Sequence, residues 1–297
     1  MSLIVILTDP RYTSPSPDDW YSAQIYLEER LLQEGLQTLG YEVQRVAWSD
    51  PDFAWGSARA AVFRSTWDYF HRFAEFGAWL DRVEGQTRLI NSAQTVRWTA
   101  DTNYLADLQR SDIEIPETIF LAAHAIVSLA NLFASLGWER GVLKPAVSGA
   151  ARHTYLLDQA NVSQHESIFQ ELNAAESMLL QAFEEQILTA GEISLIVVGD
   201  RVTHAVRKIA KAGDFRVQDD HGGTAHAYEP RSDEIDFALR AVAACPERPA
   251  YARVDLIRDH RGRLALMELE LIEPELFFRF APPAASALAA EIARRVK

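Results

Sequence analysis

Three carboxylates near the C-terminal end of the chain carry the clearest chemistry. Residues 251–275 read YARVDLIRDHRGRLALMELELIEPE. Alternation on both sides of Asp259-His260-Arg261-Gly262 is the pattern of a β-hairpin. Strand side chains repeat with period two, so Glu268 and Glu270 share one face and Met267, Leu269 and Leu271 the other. A turn centred on 260–262 sets Asp255 opposite Glu268. Like charges that face one another destabilise a sheet, and a divalent cation removes that penalty. A set of oxygen ligands suits Mg²⁺ or Mn²⁺, shared with substrate phosphates. The alternative is an unliganded acidic face, since surface carboxylates are common. Glu273 and Glu275 lie just past the strand, where they would meet substrate rather than metal.

Other segments could complete a nucleotide site. Leu143-Lys144-Pro145 ends an apolar strand and precedes the small-residue loop AVSGAARHT at 146–154. A lysine there supplies charge to phosphates, and such a loop supplies backbone N–H groups with little bulk. The plainer alternative is a surface lysine beside an ordinary turn. Gln181-Ala182-Phe183-Glu184-Glu185 would offer backbone groups to an adenine and a carboxylate to ribose hydroxyls, or else is a solvated acidic loop. Glu192 opens a strand and taken alone is an edge carboxylate. Arg207, Lys208 and Arg216 flank Ala212-Gly213-Asp214 and concentrate positive charge, and His221-Gly222-Gly223-Thr224 would bring backbone close to an anion. His204 falls in an apolar strand and reads as structural. The sequence has no nucleophile elbow, no zinc spacing, no Walker A and no GxGxxG.

The elements that must position these groups follow an α/β order. Strands are expected at 3–7, 42–46 and 60–64, with helices at 19–39 and 67–84 between and after them. That βαβ order predicts an open, mostly parallel sheet up to about residue 92. Arg64–Tyr69 and the loop 8–20 then lie at the carboxyl ends of its strands, where ligands bind and specificity is set. A connector at 91–99 leads to a short helix at 104–110. Further on come a helix at 125–136, strands at 141–145, 153–158 and 178–183, and a hairpin of 192–198 with 202–208. Helices at 167–172, 232–245 and 282–297 complete the expectation. A chain of 297 residues suggests two or three lobes.

Bulk properties exclude some classes. A net charge of -13 argues against nucleic acid or anionic membrane as the main partner. One cysteine, Cys245, permits no intrachain disulfide and fits a reducing compartment. The opening MSLIVILTDP lacks a basic start and is too short for a signal or membrane span, so it reads as a first buried strand. A cytoplasmic enzyme is the expectation, with a homodimer as the default assembly.

The order of these segments resembles the ATP-grasp superfamily over nearly the whole chain. Its glutathione-synthetase-like and RimK-like branch is the most similar part, together with small bacterial ligases that include O-ureido-D-serine cyclo-ligase. The resemblance is carried by FRSTWDYF at 63–70, LKPAVSGAARHTYL at 143–156, QAFEEQI at 181–187, GEISLIVVGDRVTHAVRK at 191–208, DFRVQDDHGG at 214–223 and the hairpin at 251–278. It implies an α/β fold of three lobes: an N-terminal open α/β lobe at 1–95, a small mobile middle lobe at 96–180, and a C-terminal lobe at 181–297 with the metal site. It implies ATP held by Lys144, by Ser148, Gly149 and Arg152 of the loop, by Gln181, Glu184 and Glu185, and by Glu192. It also implies Mg²⁺ or Mn²⁺ on Asp255, Glu268 and Glu270, and Arg216 with Lys208 beside the transferred phosphate.

The implied reaction is ATP-dependent joining of a small-molecule carboxylate to an amine, between two substrates or within one, through an acyl-phosphate. Two departures from the family pattern stand out. Thr102 occupies the place of a usual ATP-binding lysine, and the phosphate loop has a single glycine, Gly149. Glu270 also stands where many relatives carry Asn. Thr102 and the glycine-poor loop support an alternative reading, a degenerate homologue that binds a nucleotide, metabolite or partner protein without catalysis, against which the retained carboxylates argue.

Overall fold

The computed structural model describes residues 2–14, 19–149, 151–217, 222–259 and 261–297. Ala150, His221 and His260, named above, lie outside the described residues. Three sheets, wound with helices into a mixed α/β fold, build the protein. The first comprises β1 (Leu3–Thr8), β2 (Glu42–Ala47), β3 (Ala58–Ser65) and β4 (Arg88–Ile90). Its order is β2-β1-β3-β4, and every pairing is parallel. Parallel strands must be covered on both faces. Helix α1 (Trp20–Thr38), capped by the Asp19 carboxylate on the N–H groups of Tyr21 and Ser22, covers one face, and α2 (Phe73–Val83) the other. The α2 side is aromatic: Trp48, Trp79 and Phe76 are buried with ring centroids 5.2–5.9 Å apart.

The expected helix at 67–84 starts later than its sequence suggests. Residues 69–71 form a 3-10 turn, and the regular helix begins at Phe73. Trp67 and Tyr69 are thereby left on a loop at the carboxyl end of the sheet. Residues 91–99, read as a connector, contain α3 (Ala93–Thr99), whose cap is the Ser92 hydroxyl accepting from Thr95 N–H. Helix α4 (Tyr104–Arg110) follows.

A second sheet, ordered β5-β8-β6-β7, is antiparallel throughout. Its strands are β5 (Thr118–Leu121), β6 (Arg140–Pro145), β7 (Tyr155–Asp158) and β8 (Met178–Ala182). Helices α5 (Leu129–Leu136) and α6 (Glu166–Asn173) close its core around Phe133, Leu143 and Phe169. Helix α7 (Gln186–Ala190) was not expected from sequence.

The third sheet carries the hairpin. Its strands β9 (Glu192–Val198), β10 (Arg201–Ile209), β11 (Thr224–Tyr228), β12 (Tyr251–Arg258) and β13 (Leu264–Glu270) are ordered β11-β10-β9-β12-β13. Helix α8 (Ser232–Ala243) packs on one face together with Tyr104, Leu105, Leu108 and Ile113. Residues 104–113 thus bury their apolar side against this sheet rather than the second one. Helix α9 (Pro283–Val296) returns to the first sheet and lies on α1. The helices approach closely because Gly35 faces Ala289, where an added Cβ would come to 3.0 Å. Among the described residues no helix is long and apolar enough to cross a membrane.

Candidate active site

A cleft of about 440 Å³ lies where the three sheets converge. Its floor is the hairpin of β12 and β13. The register pairs Asp255 with Glu268 and Arg253 with Glu270. Carboxylate oxygens from Asp255, Glu268 and Glu270 all lie within 4.8 Å of one another. The hairpin therefore does what period-two alternation and the turn position required. Several long-range bonds hold it in place. The Tyr104 hydroxyl accepts from Leu269 N–H at 2.7 Å, and the Asn91 amide donates to Leu271 O at 2.7 Å and Tyr251 O at 3.0 Å.

The three carboxylates differ in surroundings. Asp255 is buried and accepts from Ser194 Oγ at 2.6 Å, Lys208 Nζ at 3.0 Å and Arg253 Nη2 at 2.9 Å. Burial opposes its charge, but Arg253 and Lys208 outweigh burial and hold the carboxyl well below the usual range. Burial pushes Glu270 up to about 7, against the guanidinium of Arg253 and with the charge of Glu268 adding to the push. Glu268 lines the cleft and has no hydrogen-bond or ion-pair partner among the described residues. An oxygen-only donor set with one unengaged carboxylate suits Mg²⁺ or Mn²⁺.

Lys208 is buried and bridges Glu192, at 2.5 Å, to Asp255. Burial alone would lower its pKa, yet Asp255 and Glu192 together hold it above the ordinary value. It therefore stays charged and braces the floor. Arg216 lines the cleft and pairs with Asp214 at 2.7 Å, an arrangement that holds Asp214 well below the usual carboxylate range.

The nucleotide candidates divide into two groups. Lys144, Ser148, Gly149, Gln181, Glu184 and Glu192 line the cleft. Arg152 and Glu185 do not. Arg152 is paired with Glu176 at 2.6 Å and donates to Val147 O, so the charge expected for the phosphate loop is spent on holding that loop together. Glu185 is exposed and paired with Arg140. Between the two adjacent glutamates that the sequence left open, Glu184 is the one on the cleft. Gln181 donates to Thr118 Oγ1 at 2.9 Å, so its amide stabilises the strand pair β5–β8.

Thr102, in the place of the usual lysine, lines the cleft and joins two segments. Its N–H and its hydroxyl both donate to Ala146 O, at 2.8 and 2.6 Å. The start of the phosphate loop is thus fastened to the turn before α4. On the other side Gly149 lies flat on Phe70, where an added Cβ would come to 2.4 Å from the ring. Only glycine allows this approach, so the loop meets the N-terminal sheet's side of the cleft. Gly149→Ala is expected to push the loop off Phe70. It should lower kcat/KM roughly tenfold or more, because misplacement by about 1 Å suffices for that, with a melting temperature close to the parent's. Steady-state kinetics beside a thermal melt checks this; unchanged kcat/KM would show that the contact has no catalytic consequence.

Sequence reasoning missed Arg253. It is 9% exposed and contacts both Asp255 and Glu270. The signal was present, since residues 253 and 255 share a strand face. Trp67 and Tyr69 were missed as individuals, though their segment was expected at the cleft. Cys245, set aside as a nucleophile, is on the far side of the sheet in the α8 cluster, where burial pushes its thiol up to about 12.

Residues 106–272 match the RimK-like ATP-grasp domain, over half of the chain. The chain belongs to the RimK-like ATP-grasp family. It is an ATP-dependent ligase of the ATP-grasp type. Residues 4–91 of this ATP-grasp ligase match the N-terminal domain of D-cycloserine synthetase DcsG. The cycloserine biosynthesis protein DcsG of Streptomyces lavendulae is 29% identical over 286 residues, covering 90% of this chain and 93% of that protein. The crystal structure of D-cycloserine synthetase DcsG superposes with a TM-score of 0.87 at 27% identity, covering 100% of both chains. A probable alpha-L-glutamate ligase of Pectobacterium carotovorum is 29% identical over 184 residues, or 61% of this chain and 58% of that one. D-alanine–D-alanine ligase of Bacillus anthracis shares the fold, with a TM-score of 0.68 at 16% identity over 100% of this chain and 97% of that one.

Proposed function

We propose that this ATP-grasp ligase activates the carboxylate of a small amino-acid-derived substrate as an acyl-phosphate and joins it to an amine, releasing ADP and phosphate. The observation that carries the reading is the meeting of Asp255, Glu268 and Glu270 within 4.8 Å at the floor of a cleft that Lys144 and Arg216 also line. Full-length similarity to a protein named cycloserine synthetase favours ring closure within one substrate over joining of two. The cytoplasm remains the expected compartment.

A divalent ion on Asp255, Glu268 and Glu270 would neutralise phosphate charge during transfer. The chain's own groups do the rest. Lys144 offers a positive charge at the end of β6, and Ser148 and Gly149 offer a loop of small bulk above it. Glu184 is placed for ribose hydroxyls. Arg216 supplies charge to the phosphoryl group as it passes to the carboxylate oxygen, and Lys208 keeps Asp255 ionised and in position. Closure of the loop at Gly149 onto Phe70 would keep water from an acyl-phosphate and so protect it from hydrolysis.

The test is ADP release by the purified chain against a set of D- and L-amino acids with β-amino, β-aminooxy or β-ureido substituents, with Mg²⁺ and with EDTA. Mg²⁺-dependent ADP release is expected with at least one of them, and hydroxylamine should divert the product to a hydroxamate. Substrate-dependent ADP without hydroxamate would overturn the acyl-phosphate step. ATP binding without turnover on any substrate would favour the non-catalytic alternative that Thr102 raised.

A further inference from the structure

The floor of the cleft contains its own competitor for the cation. Arg253 reaches Asp255 with Nε at 3.1 Å and Nη2 at 2.9 Å, and the same Nη2 touches Glu270. One donor nitrogen thus lies between two of the three carboxylates whose oxygens converge. A divalent ion takes such oxygens at about 2.1 Å, so ion and guanidinium draw on the same lone pairs. Glu268, in contrast, is unengaged among the described residues.

The charges point the same way. Glu192, Asp255, Glu268 and Glu270 are four carboxylates, and the cations among them are Lys208 and Arg253. Carboxylates thus outnumber the cations paired with them, an excess that favours a divalent ion. Lys208 is already engaged by Glu192 and Asp255 and makes no ion pair with Glu270 among the described residues. Arg253 is the cation tied to Glu270, its register partner across the hairpin. A buried carboxylate without a counter-charge is costly, so Glu270 needs Arg253 while no ion is bound.

We propose that Arg253 is a built-in counter-ion of the metal site, holding Glu270 until a divalent cation takes it. The inference rests on the metal reading above. Glu270 is then a ligand that changes partner, whereas Glu268, unengaged among the described residues, receives the ion first. This gives a role to a glutamate at a position where the resemblance leads one to expect Asn: its extra charge is matched by Arg253. It also makes the affinity for free cation low by construction.

The experiment is titration of Mn²⁺ alone into the full chain at pH 8, without nucleotide, read by the loss of free-ion electron paramagnetic resonance signal. Four chains are compared: parent, Arg253→Gln, Glu270→Gln and the double variant. Arg253→Gln is expected to bind Mn²⁺ roughly tenfold tighter than the parent, a size within reach of a close charge pair. In the Glu270→Gln background the same replacement should give little gain, because the contested ligand is gone. A gain of equal size in both backgrounds would reduce Arg253 to a general charge effect and overturn the proposal. No gain in either would overturn it also. No Mn²⁺ uptake by any of the four would remove the metal reading itself. Arg253→Lys guards against a folding defect: it keeps the charge but loses the Nε contact to Asp255 and reaches less far toward Glu270, so it should bind Mn²⁺ more tightly than the parent, and equal affinity would count against the exchange.

Discussion

Glu268→Gln should abolish turnover, by roughly 10³-fold, while the protein melts within about 1 °C of the parent. Glu268 lines the cleft, belongs to the carboxylate cluster and holds no other described group in place. Glutamine keeps its shape and removes its charge. A bound cation contributes several kcal/mol of charge stabilisation to phosphoryl transfer, and about 4 kcal/mol corresponds to that factor in rate. The measurement is ADP release per enzyme at saturating ATP and Mg²⁺, beside a thermal melt. Retained turnover would take Glu268 out of the cation site. Lost turnover together with a fallen melting temperature would show that the residue is needed for folding, which its freedom from partners among the described residues argues against.

Arg64→Met should have the largest effect on stability, about 3–5 kcal/mol, the usual result of removing one partner from a buried ion pair. Arg64, 3% exposed, donates to Glu28 Oε1 at 2.5 Å and to Pro274 O at 2.5 Å. Glu28 in turn accepts from Leu276 N–H at 3.0 Å. These groups come from β3, from α1 and from the chain beyond the carboxylate hairpin. The pair therefore fastens the first sheet to the loop that follows Glu270. Native stabilities lie near 5–15 kcal/mol, so such a loss would leave little margin. Urea denaturation measures it. The double variant Arg64→Met, Glu28→Gln should recover part of the loss, since the glutamine amide oxygen still accepts from Leu276 N–H and no charge is left unpaired. A cost below about 1 kcal/mol for Arg64→Met, against the usual range for a buried pair, would mean that water takes over its role.

The carboxylate hairpin was legible because strand periodicity is a local rule. Once β12 and β13 are joined by a short turn, residue 255 must face residue 268, and residues 268 and 270 must share a side. The parallel N-terminal sheet was legible for a similar reason, since buried strands alternate with one helix in a set order. Local rules also overreached. The aromatic run from Trp67 looked helical but forms a turn, because Tyr69 and Phe70 are buried below and in front of the cleft before α2 begins. Strand β11 and the short helix α7 carry too little periodicity to be seen.

Partnerships across the fold were beyond the reach of spacing. Glu184 and Glu185 are adjacent and alike in sequence; Glu185 pairs with Arg140, far away on β6, whereas Glu184 lines the cleft. Arg152 looked free to meet phosphates until Glu176 was beside it. Thr102 looked like a lost cation and proves to be a fastening for Ala146. Residue types and period-two spacing were enough to bring three carboxylates to one face of one hairpin. Which of the other charged groups remain available to a ligand was decided by tertiary structure alone, because a charge is spent or kept according to neighbours that arrive from distant parts of the chain.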